Sequence, residues 1–439
     1  MPHRKHIHVI GLDEFHLAEL QTVRNADEYV FHPLVDYDHI VLPPAYDIPA
    51  LLAEAREDLD NAPAVDAIIG HWDFPTTSLL PILRREYGLP SASLESVLYC
   101  EHKYWTRLAA AEAIPECTPA FQGIDAYHDA PAEALELAYP FWLKPAVAFS
   151  SYLGFRIDDE AKFRSAMATI REQIHRFAEP FRHILAAANN HATLPGDGDG
   201  ATCIAEGLIH GHLCTLEGYV FNGEVVVYAI LDSVRGANQV SFLSYQYPSA
   251  LPEGVQQRMR EAADRLLRRI GLDQTPFNIE FFWDEEADRI WLLEINPRIS
   301  KSHCPIFEIA TGASHHEVPI DICLGRRPRF PHAEGRFPTA AKFMPRVYED
   351  AVVTHVPSGR AIRELQERFP ELRVTVQVQE GTRLSEMLGQ DSYSYELASL
   401  FFGGRDAQDL QRKFRTVMDG LNFGFSRPVT TNYASPVGG

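Results

Sequence analysis

The sequence has few features of a membrane protein, a zinc-binding protein or a nucleic-acid-binding protein. Its six cysteines are widely spaced among 439 residues and form no CxxC pair, which argues against a zinc site. No segment approaches the roughly 20 apolar residues of a membrane helix, and the apolar run 7–11 is too short for a secretory signal. The net charge of −20 disfavours sequence-independent binding of nucleic acid. We therefore expect a reduced, cytoplasmic protein that acts on small molecules.

Internal repeats, low-complexity tracts and a GxGxxG dinucleotide fingerprint are also missing, and Gly11 alone after the first apolar run is a weak sign of a cofactor. What the N-terminal part does contain is an alternation of short apolar runs (7–10 and 65–69) with helix-like stretches (48–59 and 78–87). Strands that alternate with helices indicate a parallel sheet with crossover helices. The sequence thus predicts an α/β protein with a parallel-sheet, Rossmann-like domain over residues 1–113.

Three further domains follow along the chain. Residues 114–205 are predicted to form a small lobe that contains the strand 141–144. Residues 206–345 are predicted to form a larger α+β lobe, because Asn222-Gly223 indicates one hairpin, a second hairpin joins 277–283 to 290–295, and an amphipathic helix 255–270 ends at Gly271. Residues 346–439 are predicted to form a C-terminal α+β lobe with helices near 358–369 and 406–421.

The second hairpin carries the most informative set of polar residues. Glu280 and Glu294 each lie seven residues from Ala287 in the middle of the turn, so a centred register places their carboxylates opposite each other. Asn296 lies two residues beyond Glu294 and shares its face. Oxygen ligands of this kind suit Mg²⁺, although two glutamates at the edge of a solvated sheet would show the same spacing.

The apolar residues next to these acids predict which face of the hairpin is buried. Strict alternation places Phe281, Trp283, Trp291 and Leu293 on the opposite, core face, and it places Phe282 and Leu292 on the face of the acids. Acids in such apolar strands need a partner, which is either a metal ion or a cation such as Arg298.

Lys144 ends a strand and is followed by the loop 146–154, in which Ser150 and Ser151 offer hydroxyl groups. A lysine beside a loop of small residues suits phosphate oxygens. A lysine that exposes only its charged end above an apolar stem would look the same in the sequence.

Together, these motifs resemble those of the ATP-grasp superfamily. The strand with Glu280, followed by Glu294-Ile295-Asn296-Pro297-Arg298, is similar to the metal-binding hairpin of that superfamily. Lys103 and Lys144 resemble its two phosphate-binding lysines, and 206–209 resembles the hinge strand that binds adenine. The motifs occur in the order expected for that superfamily. The overall sequence pattern is most similar to that of the carboxylate–amine ligases, including bacterial L-amino-acid ligases.

The resemblance implies a role for each of these residues. Two ATP-grasp lobes would clamp the nucleotide, with Lys103 and Lys144 on the phosphates, Ser150 and Ser151 in the loop that covers them, and Glu206 and the backbone of Leu208 on the adenine. Glu280, Glu294 and Asn296 would bind Mg²⁺ (Mn²⁺ is an alternative), and Arg298, with Lys144, would act in catalysis. A ribose-binding acid is missing after the hinge, where His212 and Leu213 stand instead.

Substrate-binding candidates come from the neighbouring strands and loops. Glu217 could bind a substrate amine, Arg235 a substrate carboxylate, and Ser302 and His303 could line the acyl site. Glu217 could equally be an acid on the sheet surface, and His303 a packed histidine. The segment 71–73 follows a strand end, where open α/β sheets place ligands.

The expected function is an ATP-dependent ligase that forms an amide bond through an acyl phosphate and releases ADP and phosphate, with an amino acid as the expected substrate. One alternative is a carboxylase-like or formate-using enzyme, but Ser302 stands where carboxylases have a catalytic Glu, and no Met-Lys-Met biotin-carrier sequence occurs. Another alternative is a catalytically silent ATP sensor. A homodimer is expected from the resemblance alone.

Overall fold

The computed structural model describes residues 4–41, 43, 45–127, 135–148, 153–195, 200–387, 390 and 393–432. Ser150, Ser151 and the central part of the predicted lid 146–154 (residues 149–152) lie outside these residues, so the expectations about them stay predictions. Within them, no helix combines the length and apolar character needed to span a bilayer. All six cysteines are buried free thiols.

The N-terminal part contains the predicted parallel sheet. Its strands are β1 (Lys5–Ile10), β2 (Tyr29–Leu34) and β3 (Ala67–Ile69), in the order β2-β1-β3. The helices of this part of the chain are α1 (Glu14–Leu20), α2 (Tyr37–Ile40), α3 (Ile48–Asp60), α4 (Thr76–Glu86), α5 (Leu94–Glu101) and α6 (Lys103–Ala113). The central strand β1 is buried from Ile7 to Ile10, as expected for a strand covered on both faces.

A four-stranded antiparallel sheet follows. It consists of β4 (Phe121–Asp125), β5 (Phe141–Pro145), β6 (Phe155–Ile157) and β7 (Thr202–Gly207), in the order β4-β7-β5-β6. Helices α7 (Glu160–Gln173) and α8 (His175–Ala186) lie between β6 and β7 in the chain. Phe141 and Leu143 point into the core of this lobe, whereas Trp142 and Lys144 alternate to the other face. That alternation aims Lys144 out of the core.

The largest sheet is antiparallel and has eight strands. Its order is β12-β11-β8-β9-β10-β13-β18-β16, with β8 (His212–Phe221), β9 (Glu224–Arg235), β10 (Phe242–Tyr247), β11 (Thr275–Asp284), β12 (Arg289–Asn296), β13 (Thr339–Phe343), β16 (Arg373–Val376) and β18 (Ala398–Gly404). The Asn222-Gly223 hairpin is confirmed, and both turn residues have positive φ, of 52° and 76°. The predicted helix 255–270 is α9 (Glu253–Ile270), and Gly271 ends it with φ 72°.

The remaining elements surround this sheet. They are α10 (Cys304–Thr311), α11 (Glu317–Cys323), α12 (Gly359–Arg368), α13 (Ala407–Gly420) and two small strand pairs, β14 (Arg346–Val347) with β17 (Tyr395–Glu396) and β15 (Val353–His355) with β19 (Gly424–Phe425). Strands β16 and β18 of the predicted C-terminal lobe extend the large sheet, and β7 crosses the predicted 205/206 boundary. The four domain boundaries themselves stay predictions.

Candidate active site

The two glutamates of the second hairpin face each other as the centred register predicted. Glu280 pairs with Glu294 across β11 and β12, and Asn278 pairs with Asn296 two residues away on each strand. The Asn296 amide nitrogen donates to Asn278 Oδ1 at 3.4 Å, which leaves the Asn296 carbonyl oxygen available to a ligand. Two carboxylates and one amide oxygen therefore share one face.

A bulge beside these residues corrects part of the predicted face assignment. The register shifts by one residue after Glu280, so that Phe281 pairs with Leu292 and Phe282 with Trp291. Phe281 and Leu292 are both fully buried in the core, whereas Leu293 lines the cleft with Glu294. The extra residue in β12 reverses the alternation there, so Trp291, Leu292 and Leu293 lie on the faces opposite to those expected.

Among the described residues, neither carboxylate of this pair forms an ion pair within 4.0 Å. Burial raises the pKa of Glu280 to about 8, with a further contribution from the negative charge of Glu294, while Arg235 and Arg298 oppose the shift. A divalent cation between the two carboxylates would remove this repulsion. Although no group of three His, Cys, Asp or Glu side chains suited to a metal occurs in the described part of the chain, the mixed set of Glu280, Glu294 and Asn296 fits Mg²⁺, which accepts amide oxygens and keeps waters.

Lys103 begins α6 next to the metal-binding face. His102 caps this helix by accepting a hydrogen bond from the Trp105 N–H, which fixes where the helix starts. The Lys103 ammonium donates to the carbonyl oxygen of Ala148 at 2.5 Å. Burial lowers the pKa of Lys103 and nearby Glu294 opposes that shift, so Lys103 lies within electrostatic range of the acids. The site thus brings a predicted phosphate-binding lysine to the predicted metal ligands.

Lys144 and Glu206 lie on the neighbouring strands β5 and β7 and form an ion pair of 2.8 Å. Arg107, from α6, contacts the other oxygen of the same carboxylate at 2.6 Å and also donates to the carbonyl oxygen of Leu293 at 2.8 Å. Burial alone would raise the pKa of Glu206, but Arg107 and Lys144 lower it to about 2. The carboxylate predicted to meet adenine is therefore held between two cations.

Arg107 has a place in the site that the sequence analysis did not assign. It lies four residues after Lys103 on the same helix, and residues at this spacing share a face. That spacing is the signal that could have identified it. Through its two contacts, Arg107 connects the small lobe to the metal hairpin.

The hinge residues beyond β7 are accessible. The Leu208 side chain is 38% exposed, immediately after the strand ends at Gly207. His212 is exposed at the start of β8, and its Nε2 lies 2.9 Å from Asp232 Oδ1. Both residues are therefore accessible from solvent.

Arg298 meets the N-terminal domain. Its Nε donates to Asp73 Oδ1 at 2.6 Å, and its Nη1 donates to the Ile299 carbonyl oxygen at 3.2 Å. Asp73 follows β3 and lines the cavity, so the last residue of the segment 71–73 reaches the candidate site. The sequence analysis had not paired Asp73 with Arg298.

These side chains open into one cavity of about 160 Å³. Its walls come from the N-terminal domain, α6, the small lobe and β12, and consist of Asp73, Phe74, Cys100, Glu101, Lys103, Thr106, Arg107, Ala148, Leu293, Glu294, Ile295, Asn296 and Arg298. Glu101 was not foreseen in the cavity. Burial raises its pKa to about 7, although Thr77 donates a hydrogen bond to it. The cavity thus combines acids, the lysine predicted to bind phosphate and two arginines.

Glu217 and His303 form a buried pair beside the metal hairpin. Glu217 Oε1 lies 2.6 Å from His303 Nδ1 and accepts hydrogen bonds from Asn278 Nδ2 at 2.8 Å and the Ser300 N–H at 3.3 Å. Both side chains are at most 2% exposed. In this conformation, Glu217 therefore anchors Asn278 and the loop that follows Arg298.

Arg235 and Ser302 are the other two substrate-binding candidates. The Arg235 guanidinium stacks on Phe242 and Phe282, at 5.2 and 4.9 Å from their ring centroids, and its Nη1 donates to the Gln239 carbonyl oxygen. Ser302 accepts a hydrogen bond from Lys342 at 3.3 Å. Arg235 thus lies on the Glu280 side of the site and Ser302 on the Arg298 side.

Comparison with known proteins places this cleft in a known architecture. Residues 137–305 match the family model described as an ATP-grasp domain. The chain is 24% identical over 331 residues to urea amidolyase from Saccharomyces cerevisiae, which covers 72% of this chain but only 16% of the relative.

Two solved structures are similar over nearly the whole chain. The L-amino acid ligase from Bacillus licheniformis has a TM-score of 0.73 at 16% identity, covering 97% of this chain and 100% of that one. The biotin carboxylase from Campylobacter jejuni has a TM-score of 0.62 at 17% identity, covering 97% and 92%. At these identities the likeness establishes the fold.

Proposed function

We propose that this chain, whose residues 137–305 match an ATP-grasp domain model, is an ATP- and Mg²⁺-dependent ligase that joins a carboxylic acid, preferably an amino acid, to an amine. The products are an amide, ADP and phosphate. The observation that carries this proposal is the convergence of Lys103, Glu294, Asn296 and Arg298 on one cavity, with Glu280 opposite Glu294. The similarity of the fold to that of the L-amino acid ligase from Bacillus licheniformis supports the choice of substrates.

Transfer of a phosphoryl group to a carboxylate brings two anions together, so the site must supply positive charge. Lys103 and Lys144 would bind the phosphates of ATP, and Glu206 and Arg107 hold Lys144 in place. Glu280, Glu294 and Asn296 would hold Mg²⁺. When bound, Mg²⁺ neutralises phosphate charge.

Arg298 would bind the acid and stabilise the negative charge that develops when the amine attacks the acyl phosphate. A guanidinium held in one orientation loses less freedom when it binds a carboxylate. The Asp73 hydrogen bond of 2.6 Å provides that orientation. Adenine would lie against the Leu208 backbone, with His212 near the ribose, and the loop 146–154 would exclude water.

The proposal is tested by phosphate release from Mg-ATP in a matrix of amino-acid pairs and simple acids, with nucleotide products resolved as ADP or AMP. We expect ADP and phosphate only when both an acid and an amine are present. AMP and pyrophosphate would exclude an acyl phosphate. Silence across the matrix with ATP still bound would favour the sensor function instead.

A matched pair of variants ties turnover to the metal face. Glu294→Ala should abolish phosphate release, because it removes one carboxylate of the facing pair. Glu286→Ala, in the exposed turn of the same hairpin, should leave it unchanged. Light scattering would test the expected homodimer.

A further inference from the structure

Two lysines flank Ser302 just beyond Arg298. Lys301 lies in the turn Lys301–His303, three residues after Arg298, and Lys342 lies on β13. The Lys342 ammonium donates a hydrogen bond to Ser302 Oγ at 3.3 Å. Ser302 Oγ accepts this bond, so its own proton stays available to another acceptor.

Neither lysine forms a close ion pair among the described residues, although Asp73 and Asp13 lie within electrostatic range of Lys301 and Glu396 lies within that of Lys342. No carboxylate oxygen of the described residues lies within 4.0 Å of either ammonium nitrogen. By contrast, Arg298 forms an ion pair with Asp73, and Lys144 forms one with Glu206. The ammonium groups lie over aromatic rings instead, Lys301 at 3.7 Å from the centroid of Trp72 and Lys342 at 5.7 Å from that of Phe401.

The surroundings of Lys301 and Lys342 make the charged form of both side chains less favourable. Burial lowers the pKa of Lys301 to about 8, and the charge of Lys342 contributes to that shift, so the two ammonium groups are electrostatic neighbours. Burial also lowers the pKa of Lys342. Two neighbouring cations that form no close ion pair are stabilised by a bound anion. Lys301 keeps part of its surface open to solvent, so a ligand can reach it.

The position of the pair indicates which anion. Lys301 follows Arg298 by only three residues, so a substrate carboxylate bound at Arg298 would lie near Lys301. We propose that Lys301, Lys342 and the Ser302 hydroxyl bind a second substrate carboxylate, one that is not activated by ATP. This inference rests on the proposed ligase function for the nature of the substrate. The second carboxylate belongs either to the side chain of the acid or to the α-carboxylate of an amino acid that acts as the amine.

A binding experiment tests the subsite without turnover. Isothermal titration calorimetry of the full chain, loaded with Mg²⁺ and a non-hydrolysable ATP analogue, compares succinate and glutarate with their monoamides. We expect the dicarboxylate to bind at least ~10-fold more tightly than its monoamide, and Lys301→Met or Lys342→Met to remove that preference. Lys162→Met, on the exposed surface of α7, is the matched control. Equal binding of acid and monoamide, or a preference that survives both variants, would overturn the proposal.

Turnover with matched substrates separates the two sources. If the second carboxylate is on the acid, glutamate should exceed glutamine in kcat/KM by at least ~10-fold, and the lysine variants should erase the difference. If it is on the amine, glycine should exceed glycinamide instead. Phosphate release that requires two substrates but ignores both comparisons would refute the subsite and leave the ligase proposal intact. Lysine-dependent binding of dicarboxylates without any turnover would support the subsite and contradict the proposed ligase function.

Discussion

Arg298 Nε donates a hydrogen bond of 2.6 Å to Oδ1 of Asp73, a residue 225 positions earlier in the chain. The contact joins a strand end of the N-terminal parallel sheet to the segment that follows the metal hairpin. It leaves the arginine charged and oriented at the edge of a cavity that also contains Glu294 and Lys103. The candidate catalytic arginine is thus positioned by a residue that follows a strand of the N-terminal parallel sheet.

Replacing Asp73 should therefore damage catalysis more than nucleotide binding. In Asp73→Asn the charged hydrogen bond is weakened, and bonds of this kind contribute about 1.5–3 kcal/mol. We expect kcat for phosphate release to fall by roughly 10–100-fold, with the Kd for ATP changed by less than about threefold. Asp158→Asn, in an exposed ion pair, is the control. A normal kcat in Asp73→Asn would show that Arg298 needs no partner.

Glu206 should be important for stability as well as for ATP binding. Glu206→Gln leaves Arg107 and Lys144 without their buried counter-ion, and loss of one partner from such a pair costs about 3–5 kcal/mol. Denaturant unfolding should show that loss. Glu160→Gln breaks an exposed pair with Arg164 and should change the free energy of unfolding by less than about 1 kcal/mol. Similar effects in the two variants would contradict the prediction.

Glu280 should make the metal-free protein less stable as the pH rises. Its pKa is raised from 4.5 to about 8, so the folded state holds the proton more tightly than the unfolded state does. Stability is therefore lost as the pH increases from about 4.5 to about 8. In EDTA, Glu280→Gln should lose less Tm than the parent protein between pH 5 and pH 8, and MgCl₂ should restore only the parent. Parallel Tm profiles would argue against the repulsive pair.

Lys103 should contribute to ATP affinity without contributing much to the fold. Its ammonium donates to one carbonyl oxygen, and no ion pair between it and a described carboxylate occurs within 4.0 Å. We expect Lys103→Met to weaken ATP binding by roughly 10–100-fold, since charged hydrogen bonds to phosphate contribute about 1.5–3 kcal/mol. Fluorescence titration with an ATP analogue measures the change, with Lys162→Met as the control. An unchanged Kd would remove Lys103 from the phosphate site.

Local patterns in the sequence were sufficient for several elements. The Asn222-Gly223 hairpin, the helix that ends at Gly271 and the pairing of Glu280 with Glu294 all follow from turn chemistry and periodicity, and the structure confirms them. The order of the motifs identified the ATP-grasp resemblance, which the family model supports over residues 137–305. Such features depend on residues close together in the chain.

The tertiary structure decided what distant segments do to one another. A single bulge in β12 moved Leu292 into the core and Leu293 into the cleft, because one extra residue reverses the alternation of a strand. The pairing of Arg298 with Asp73 depends on where the N-terminal sheet meets the large lobe. The sequence alone determined which chemical groups were available, and only the packing of the domains decided which of those groups meet, because no short-range pattern specifies contacts between residues hundreds of positions apart.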